Sequence, residues 1–177
     1  MLFESGPLRV LELTDEDAPY LVKWMSDPEV LQFYTGRDRP QDMGMVREIF
    51  YEDDGLTRCI IEYDSVKIGY IQLYELEEEE KIDLGYAGTE EKMCGADQFI
   101  GETSYWNKEI GQFLVNAAVD YLITKLGASK VVMEPQTRNV RAIACYEKCG
   151  FRKVRILPKH EWHEGEMRDQ WVMEYSK

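Results

Sequence analysis

Residues 131–151, VVMEPQTRNVRAIACYEKCGF, constrain the fold of this chain more than any other stretch. The segment opens with an apolar, β-branched run that is typical of a buried strand, and a polar turn follows it. After the turn, Val140, Ile143 and Tyr146 recur at helical spacing, and Gly150 stands where a helix commonly ends. The stretch therefore predicts a strand, a turn and a helix, in that order.

Patterns on both sides of this segment predict an α+β domain. The strand patterns lie at residues 8–13, 58–63, 67–76, 93–101, 152–157 and 170–175. Helical spacing is found after Thr14, after Asp27-Pro28, over residues 43–50 and, most clearly, over residues 110–125, where Phe113 falls on the predicted buried face. We expect a single domain over residues 1–177, with a central mixed, mostly antiparallel sheet of about seven strands flanked by helices.

Composition excludes several classes of function. The 177 residues include 21 Lys and Arg against 34 Asp and Glu, which gives 21 − 34 = −13. Such a charge repels nucleic acid and anionic membranes and attracts polycations, although acidity also serves solubility alone. No apolar run approaches the roughly 20 residues that a membrane span needs, so we expect a cytoplasmic protein.

The histidines and cysteines do not predict a metal site. The four cysteines have no zinc-finger spacing, and we interpret them as reduced, small hydrophobic residues. His160 and His163 lack the H-E-x-x-H spacing that places two imidazoles on one helix face.

Acidic side chains mark the candidate site for a cationic molecule. Asp97 interrupts an otherwise small or apolar strand, where an unsatisfied buried carboxylate would be expensive. Residues 75–91 contain eight carboxylates and one lysine, which predicts a solvated loop, part of which could also attract a cation. The order of strand, loop and helix at residues 93–125, repeated at 130–150, suits a ligand that carries a pyrophosphate, because a helix N-terminus favours such an anion.

Two sets of motifs carry a family resemblance. The pattern Asn139-x-x-Ala142, followed by Tyr146-Glu-Lys-x-Gly-Phe, resembles the signature of GCN5-related N-acetyltransferases. The blocks DQFIGE at residues 97–102 and LPKHEWHEG at residues 157–165 are similar to those of aminoglycoside 6'-N-acetyltransferases. This resemblance implies the fold of that superfamily, a coenzyme A cleft between the central strands, acetyl-coenzyme A as donor, no metal, and an enzyme that acetylates the 6'-amine of aminoglycosides and confers resistance. The sequence does not determine the oligomeric state, and a monomer is favoured.

The resemblance also implies which residues bind the donor. These are Phe99, Ile100, Asn107, Lys108, Glu109, Ile110, Gly111, Gln112, Asn139, Ala142 and Tyr146. The loop before the long helix departs from the family pattern, because Trp106 replaces a polar residue and Glu109 replaces a glycine. Glu109 would repel a diphosphate, whereas Lys108 supplies a local positive charge.

Asp97 and Tyr146 are the catalytic candidates that the resemblance implies. Asp97 would accept a proton from the incoming ammonium, or would only hold that ammonium, and Tyr146 would protonate the departing thiolate, or would only pack in the core. A backbone N–H of residues 97–100 could stabilise the developing oxyanion. The candidates for acceptor binding are Tyr34, Phe50, Tyr74, Glu75, Asp97, Gln98 and Glu134.

Two other functions fit the same sequence. One is an acetyltransferase for protein N-termini or polyamines, and the other is an acyl-coenzyme A-binding module without catalysis, which the missing loop glycine motivates. The choice of acceptor depends on Asp97, on the acidic residues 75–91 and on the HEWHEG block at residues 160–165.

Overall fold

The computed structural model describes residues 1–177 as one eight-stranded sheet with six α-helices. The strands are β1 (Phe3–Ser5), β2 (Leu8–Glu12), β3 (Thr57–Tyr63), β4 (Val66–Glu75), β5 (Met93–Ile100), β6 (Lys130–Met133), β7 (Arg152–His163) and β8 (Glu166–Ser176). The helices are α1 (Ala18–Trp24), α2 (Pro28–Leu31), α3 (Met43–Phe50), α4 (Glu78–Asp83), α5 (Ile110–Thr124) and α6 (Val140–Lys148).

The strand order is β1-β2-β3-β4-β5-β6-β8-β7. β5 and β6 pair in parallel, whereas β1 with β2, β2 with β3, β6 with β8 and β7 with β8 pair antiparallel. This confirms the predicted α+β class and the mixed, mostly antiparallel sheet. The extra strand, β1, is a short edge strand that the sequence pattern did not predict.

Local signals placed several element boundaries correctly. The Asp27 side chain accepts a hydrogen bond from the Glu29 amide, and Pro28 begins α2 as predicted. Asp64 and Ser65 both have positive φ, 48° and 66°, which forms the tight turn between β3 and β4. Gly150 follows α6 with φ of 96°, a conformation that glycine adopts at little cost.

Three predictions need correction. Residues 75–91 are not simply a loop, because Glu77 and Glu80 form a capping box that starts α4. On α5, Phe113 is 46% exposed, and Val115 and Val119 are buried in its place. The closing strands are longer than predicted, because β7 and β8 continue to a turn at residues 164–165.

The chain divides into two compact units, and the first contains residues 1–72 and 98–111. Its core is aromatic: Phe99 packs edge-on against Trp24, with ring centroids 6.0 Å apart, and stacks on Tyr70 at 5.6 Å. Gly101 makes this packing possible, because a Cβ there would lie 2.2 Å from the Trp24 ring.

The second unit contains residues 73–97 and 112–177. Its apolar cluster includes Leu76, Met93, Val132 and Val172, which lie on four neighbouring strands or at their ends. In the same unit, Glu174 is buried and accepts hydrogen bonds from other side chains, such as the Tyr86 hydroxyl at 2.6 Å. No helix of the chain is long and apolar enough to span a membrane.

Candidate active site

Asp97 lies on β5 beyond the segment that pairs with β6. The paired residues run from Met93 to Gly95, whereas β5 continues to residue 100. Tyr74 approaches from the neighbouring strand, and its hydroxyl lies 3.5 Å from Asp97 Oδ1. The Tyr74 ring packs against the bare backbone of Gly95, where a Cβ would lie only 2.7 Å from ring carbon Cε2. A glycine at this position therefore lets Tyr74 reach Asp97.

Negative charge accumulates around Tyr74. Burial, together with the charges of Asp97, Glu134 and Glu80, raises the pKa of the Tyr74 phenol. The phenol consequently stays protonated and donates hydrogen bonds rather than adding another anion.

Glu134 follows β6 and belongs to the same group of carboxylates. Burial raises the pKa of Glu134 to about 7, and the charge of Asp97 acts in the same direction, while His160 opposes it. Asp83 and Glu80, both on the acidic helix α4, add to the rise. Near neutral pH this carboxyl group is therefore divided between its protonated and ionised forms, and a cation at this place would favour the ionised form.

A third carboxylate, Glu161 on β7, is held by two amides. Gln136 Nε2 donates to Glu161 Oε1 at 3.3 Å, and Gln170 Nε2 donates to Glu161 Oε2. Burial raises the pKa of Glu161, hydrogen bonding from Gln136 and the charge of His163 lower it, and the charge of Asp97 raises it further. Asp97, Glu134 and Glu161 therefore share one region of negative potential.

His160 connects this region to α4. Its Nδ1 lies 2.5 Å from Gln170 Oε1, and its Nε2 lies 2.7 Å from Asp83 Oδ2. Gln170 is buried and also donates through Nε2 to the Glu134 carbonyl oxygen at 2.8 Å. A continuous set of hydrogen bonds thus runs from the end of α4 to the backbone of Glu134.

The remaining acceptor candidates lie in varied surroundings. Glu75 is exposed at the end of β4, with its Oε2 3.9 Å from Lys92 Nζ. Gln98 is partly buried on β5, and Tyr34 packs on Phe99 with a centroid distance of 4.6 Å. The interpretation of Phe50 needs correction, because its side chain is buried in the core of the first unit, where it packs aromatically and leaves little surface for a ligand.

The loop before α5 has an unusual backbone. Asn107 and Glu109 both have positive φ, 59° and 62°, and both are exposed along with Lys108. Glu109 thus takes a conformation that glycine adopts more easily, at the position where the resembled family has glycine. Ile110 is buried and begins the helix, and Gly111 and Gln112 form its first turn, whose backbone N–H groups suit an anion.

The other donor candidates contribute backbone or capping groups. Phe99 is buried in the aromatic core, so only its backbone is available to a ligand, and the Ile100 carbonyl accepts from Trp106 Nε1 at 2.8 Å. Asn139 caps α6, because its Oδ1 accepts from the Ala142 amide at 3.3 Å. Tyr146 lies on the same helix, partly buried, with its ring 5.9 Å from that of Phe151.

Sequence reasoning singled out the HEWHEG block but gave no role to Glu161, and it missed the two glutamines. A usable signal was present: Glu164-Gly165 is a two-residue turn, and it aligns β7 with β8 so that His163 faces Glu166 and Glu161 faces Arg168. No group of three or more His, Cys, Asp or Glu side chains is arranged to hold a metal ion.

Comparison with known proteins supplies the family. The acetyltransferase (GNAT) domain family matches residues 14–158. An aminoglycoside N(6')-acetyltransferase type 1 from Klebsiella pneumoniae is 27% identical over 160 residues, which is 85% of this chain and 75% of that protein.

Two solved structures show the same fold. An aminoglycoside acetyltransferase in complex with coenzyme A has a TM-score of 0.75 at 21% identity, covering 96% of this chain and 95% of the other. A spermidine N-acetyltransferase from Vibrio cholerae, in complex with coenzyme A and spermine, has a TM-score of 0.77 at 19% identity, covering 97% and 96%.

Proposed function

Because the chain belongs to the GNAT family of acetyltransferases, we propose that it transfers the acetyl group of acetyl-coenzyme A to the 6'-amine of an aminoglycoside. Such a reaction would confer resistance to the antibiotic. The proposal names both the donor and the position acetylated, and each can be tested separately.

The observation that carries the proposal is the convergence of Asp97, Glu134 and Glu161 in one partly buried region. Such a region suits an acceptor with several ammonium groups, because each ammonium that enters relieves repulsion between carboxylates. The net charge of −13 attracts the same class of molecule. The Klebsiella relative, which is named for this activity, supports the same acceptor.

The proposed chemistry begins with removal of a proton. Amines react as the neutral form, so Asp97 accepts a proton from the bound ammonium, directly or through a water, which is worth roughly 10²–10⁴-fold in rate. Tyr74 keeps Asp97 in place through its hydroxyl. The amine nitrogen then attacks the thioester carbonyl carbon and the C–S bond breaks. Tyr146 supplies a proton to the departing sulfur, and the second proton lost by the nitrogen restores the Tyr146 hydroxyl.

The donor supplies an activated acetyl thioester. In the proposed assignment, the first turn of α5 holds the pyrophosphate, because its backbone N–H groups and helix dipole favour an anion. Two left-handed residues in the preceding loop, Asn107 and Glu109, turn the chain into that helix. Asn139 and Ala142, at the start of α6, are proposed to contact the pantetheine arm.

Release of free thiol from acetyl-coenzyme A tests the function directly. We expect release with kanamycin, and none above background with an aminoglycoside that carries a hydroxyl in place of the 6'-amine. Spermine and a peptide with a free N-terminus, assayed under identical conditions, represent the competing acceptors. If spermine or the peptide is turned over faster than kanamycin, that molecule and not the aminoglycoside is the acceptor. Binding of coenzyme A without turnover of any amine would favour a non-catalytic module.

A further inference from the structure

The orientation of the Gln170 amide is fixed by its neighbours. Its NH₂ group faces two acceptors, the Glu134 carbonyl oxygen and a Glu161 carboxylate oxygen. The reverse orientation would place the amide oxygen against both acceptors, so Oε1 must be the atom that faces His160. His160 Nδ1 therefore donates a hydrogen to Gln170 Oε1, at 2.5 Å.

The other imidazole nitrogen also faces an acceptor. Nε2 lies 2.7 Å from Asp83 Oδ2, a carboxylate oxygen that has no hydrogen to give when ionised. Both ring nitrogens of His160 must then carry hydrogen. The geometry is satisfied by the imidazolium and by neither neutral tautomer.

We propose that His160, in its imidazolium form, is a positioning residue that fixes Glu134 and the end of α4 in the acceptor site through Gln170 and Asp83. This inference rests on the proposed function, because it assigns His160 to the acceptor side of that reaction. It adds a residue from β7 to the site, and it makes acceptor binding depend on the protonation of one histidine.

The charges around His160 support this assignment. Asp83 at the end of α4, Glu134 beyond β6 and Glu161 on β7 all interact with the ring, and each is a carboxylate. Burial lowers the pKa of His160, but the hydrogen bonds to Gln170 and Asp83 and the charges of Asp83 and Glu134 outweigh it, so the pKa is raised. The imidazolium consequently persists at pH values where an ordinary histidine is neutral.

The way in which aminoglycoside binding changes when His160 loses its proton distinguishes a positioning role from a purely electrostatic one. Loss of the proton makes the site more negative, which by electrostatics alone would strengthen binding of a polycation. Positioning predicts the opposite, because the neutral ring must give up one of its two hydrogen bonds. We expect the KM for the aminoglycoside to rise roughly threefold to tenfold, the factor for one such bond, with kcat nearly unchanged.

Nitrogen NMR of the imidazoles is the first test. The chain has only two histidines, so the signals of His160 are assigned by their loss in His160→Gln. We expect the titration midpoint of His160 to lie above the ordinary value of about 6.5, with both ring nitrogens protonated below that midpoint. A midpoint at or below the ordinary value would overturn the proposal, whether or not any amine is acetylated.

Kinetics between about pH 6 and 9 are the second test. The ratio of the KM of the native protein to that of His160→Gln cancels the titration of the acceptor's own amines. We expect this ratio to rise with pH, and a ratio that falls or stays flat would overturn the proposal. If His160→Gln fails to fold, Asp83→Asn, at an exposed position, is the matched variant. It should lower the titration midpoint of His160, because it removes the carboxylate that faces Nε2.

Discussion

At the scale of single residues, the Glu134 carboxylate that serves the proposed acceptor site also lowers the stability of the fold. Its pKa is about 7 in the folded protein against an ordinary value of 4.5. The unfolded chain releases this proton near pH 4.5, whereas the folded chain holds it until near pH 7. Stability therefore falls as pH rises through this window, and the loss persists above it.

Glu134→Gln should remove this loss. We expect the free energy of unfolding, measured in urea, to increase by about 1–3 kcal/mol at pH 8 relative to the native chain, with little difference near pH 5. Acetylation of the aminoglycoside should fall in the same variant. Glu147→Gln, at an exposed position on α6, is the control, and equal gains at both pH values would show that Glu134 carries no such penalty.

Substitution of Asp97 should lower activity without impairing folding. Asp97→Asn retains the shape of the side chain and the approach of Tyr74 but cannot accept a proton. We expect kcat to fall roughly 10²–10⁴-fold, with a thermal unfolding midpoint that is not lowered and that rises slightly, because part of the repulsion on Glu134 is removed. Asp120→Asn, at an exposed position on α5, should have neither effect. Native turnover in Asp97→Asn would reduce Asp97 to an electrostatic anchor at most.

At the scale of elements, the loop that leads into α5 contains a correctable strain. Glu109 has φ of 62° and carries a negative charge in the loop next to the proposed pyrophosphate site. Glu109→Gly should stabilise the fold by about 1 kcal/mol, because glycine adopts this backbone freely. The KM for acetyl-coenzyme A should fall as well, because the repulsion is removed.

Glu109→Gln separates the effect of the backbone strain from the effect of the negative charge. It removes the charge but keeps the Cβ, so the KM for acetyl-coenzyme A should fall while thermal stability stays as in the native chain. If neither variant changes that KM, the start of α5 is not where the pyrophosphate binds.

Elements were predictable from sequence where local chemistry sets them. Asp27-Pro28 and Gly150 mark helix ends through interactions within a few residues, and both predictions are confirmed. Phe113 was misplaced because a helical stripe can be drawn on either of two adjacent faces, and only tertiary packing decides between them. Phe50 could not be assigned to core or cleft from its neighbours in the chain.

The acceptor region was predictable only in part, because its parts are distant in sequence. Asp97 and Glu134 stand out locally, as a charge within an apolar strand and a charge at the end of one. The role of Gln170 depends on hydrogen bonds with residues 134, 160 and 161. No local sequence pattern predicts these three contacts. The resemblance to acetyltransferases indicated the acceptor region, whereas the hydrogen bonds within that region could be identified only in the structure.

At the scale of the whole molecule, the charge of −13 and the carboxylates of the acceptor region act at different ranges. Long-range attraction is screened by salt over about 10 Å at 0.1 M, whereas contacts in a partly buried region are screened much less. Salt should therefore slow the encounter with a polycation more than it weakens the bound state.

This difference can be measured from kcat/KM as ionic strength is raised from about 0.01 to 0.15 M. For an acceptor with several ammonium groups we expect a fall of several-fold to about tenfold, because electrostatic steering depends steeply on salt. A monoamine sugar that carries a single ammonium should show a much smaller fall, and kcat for both should stay nearly constant. Equal salt dependence for the two acceptors would mean that the net charge serves solubility alone, and that selection of the acceptor is left to Asp97, Glu134 and Glu161.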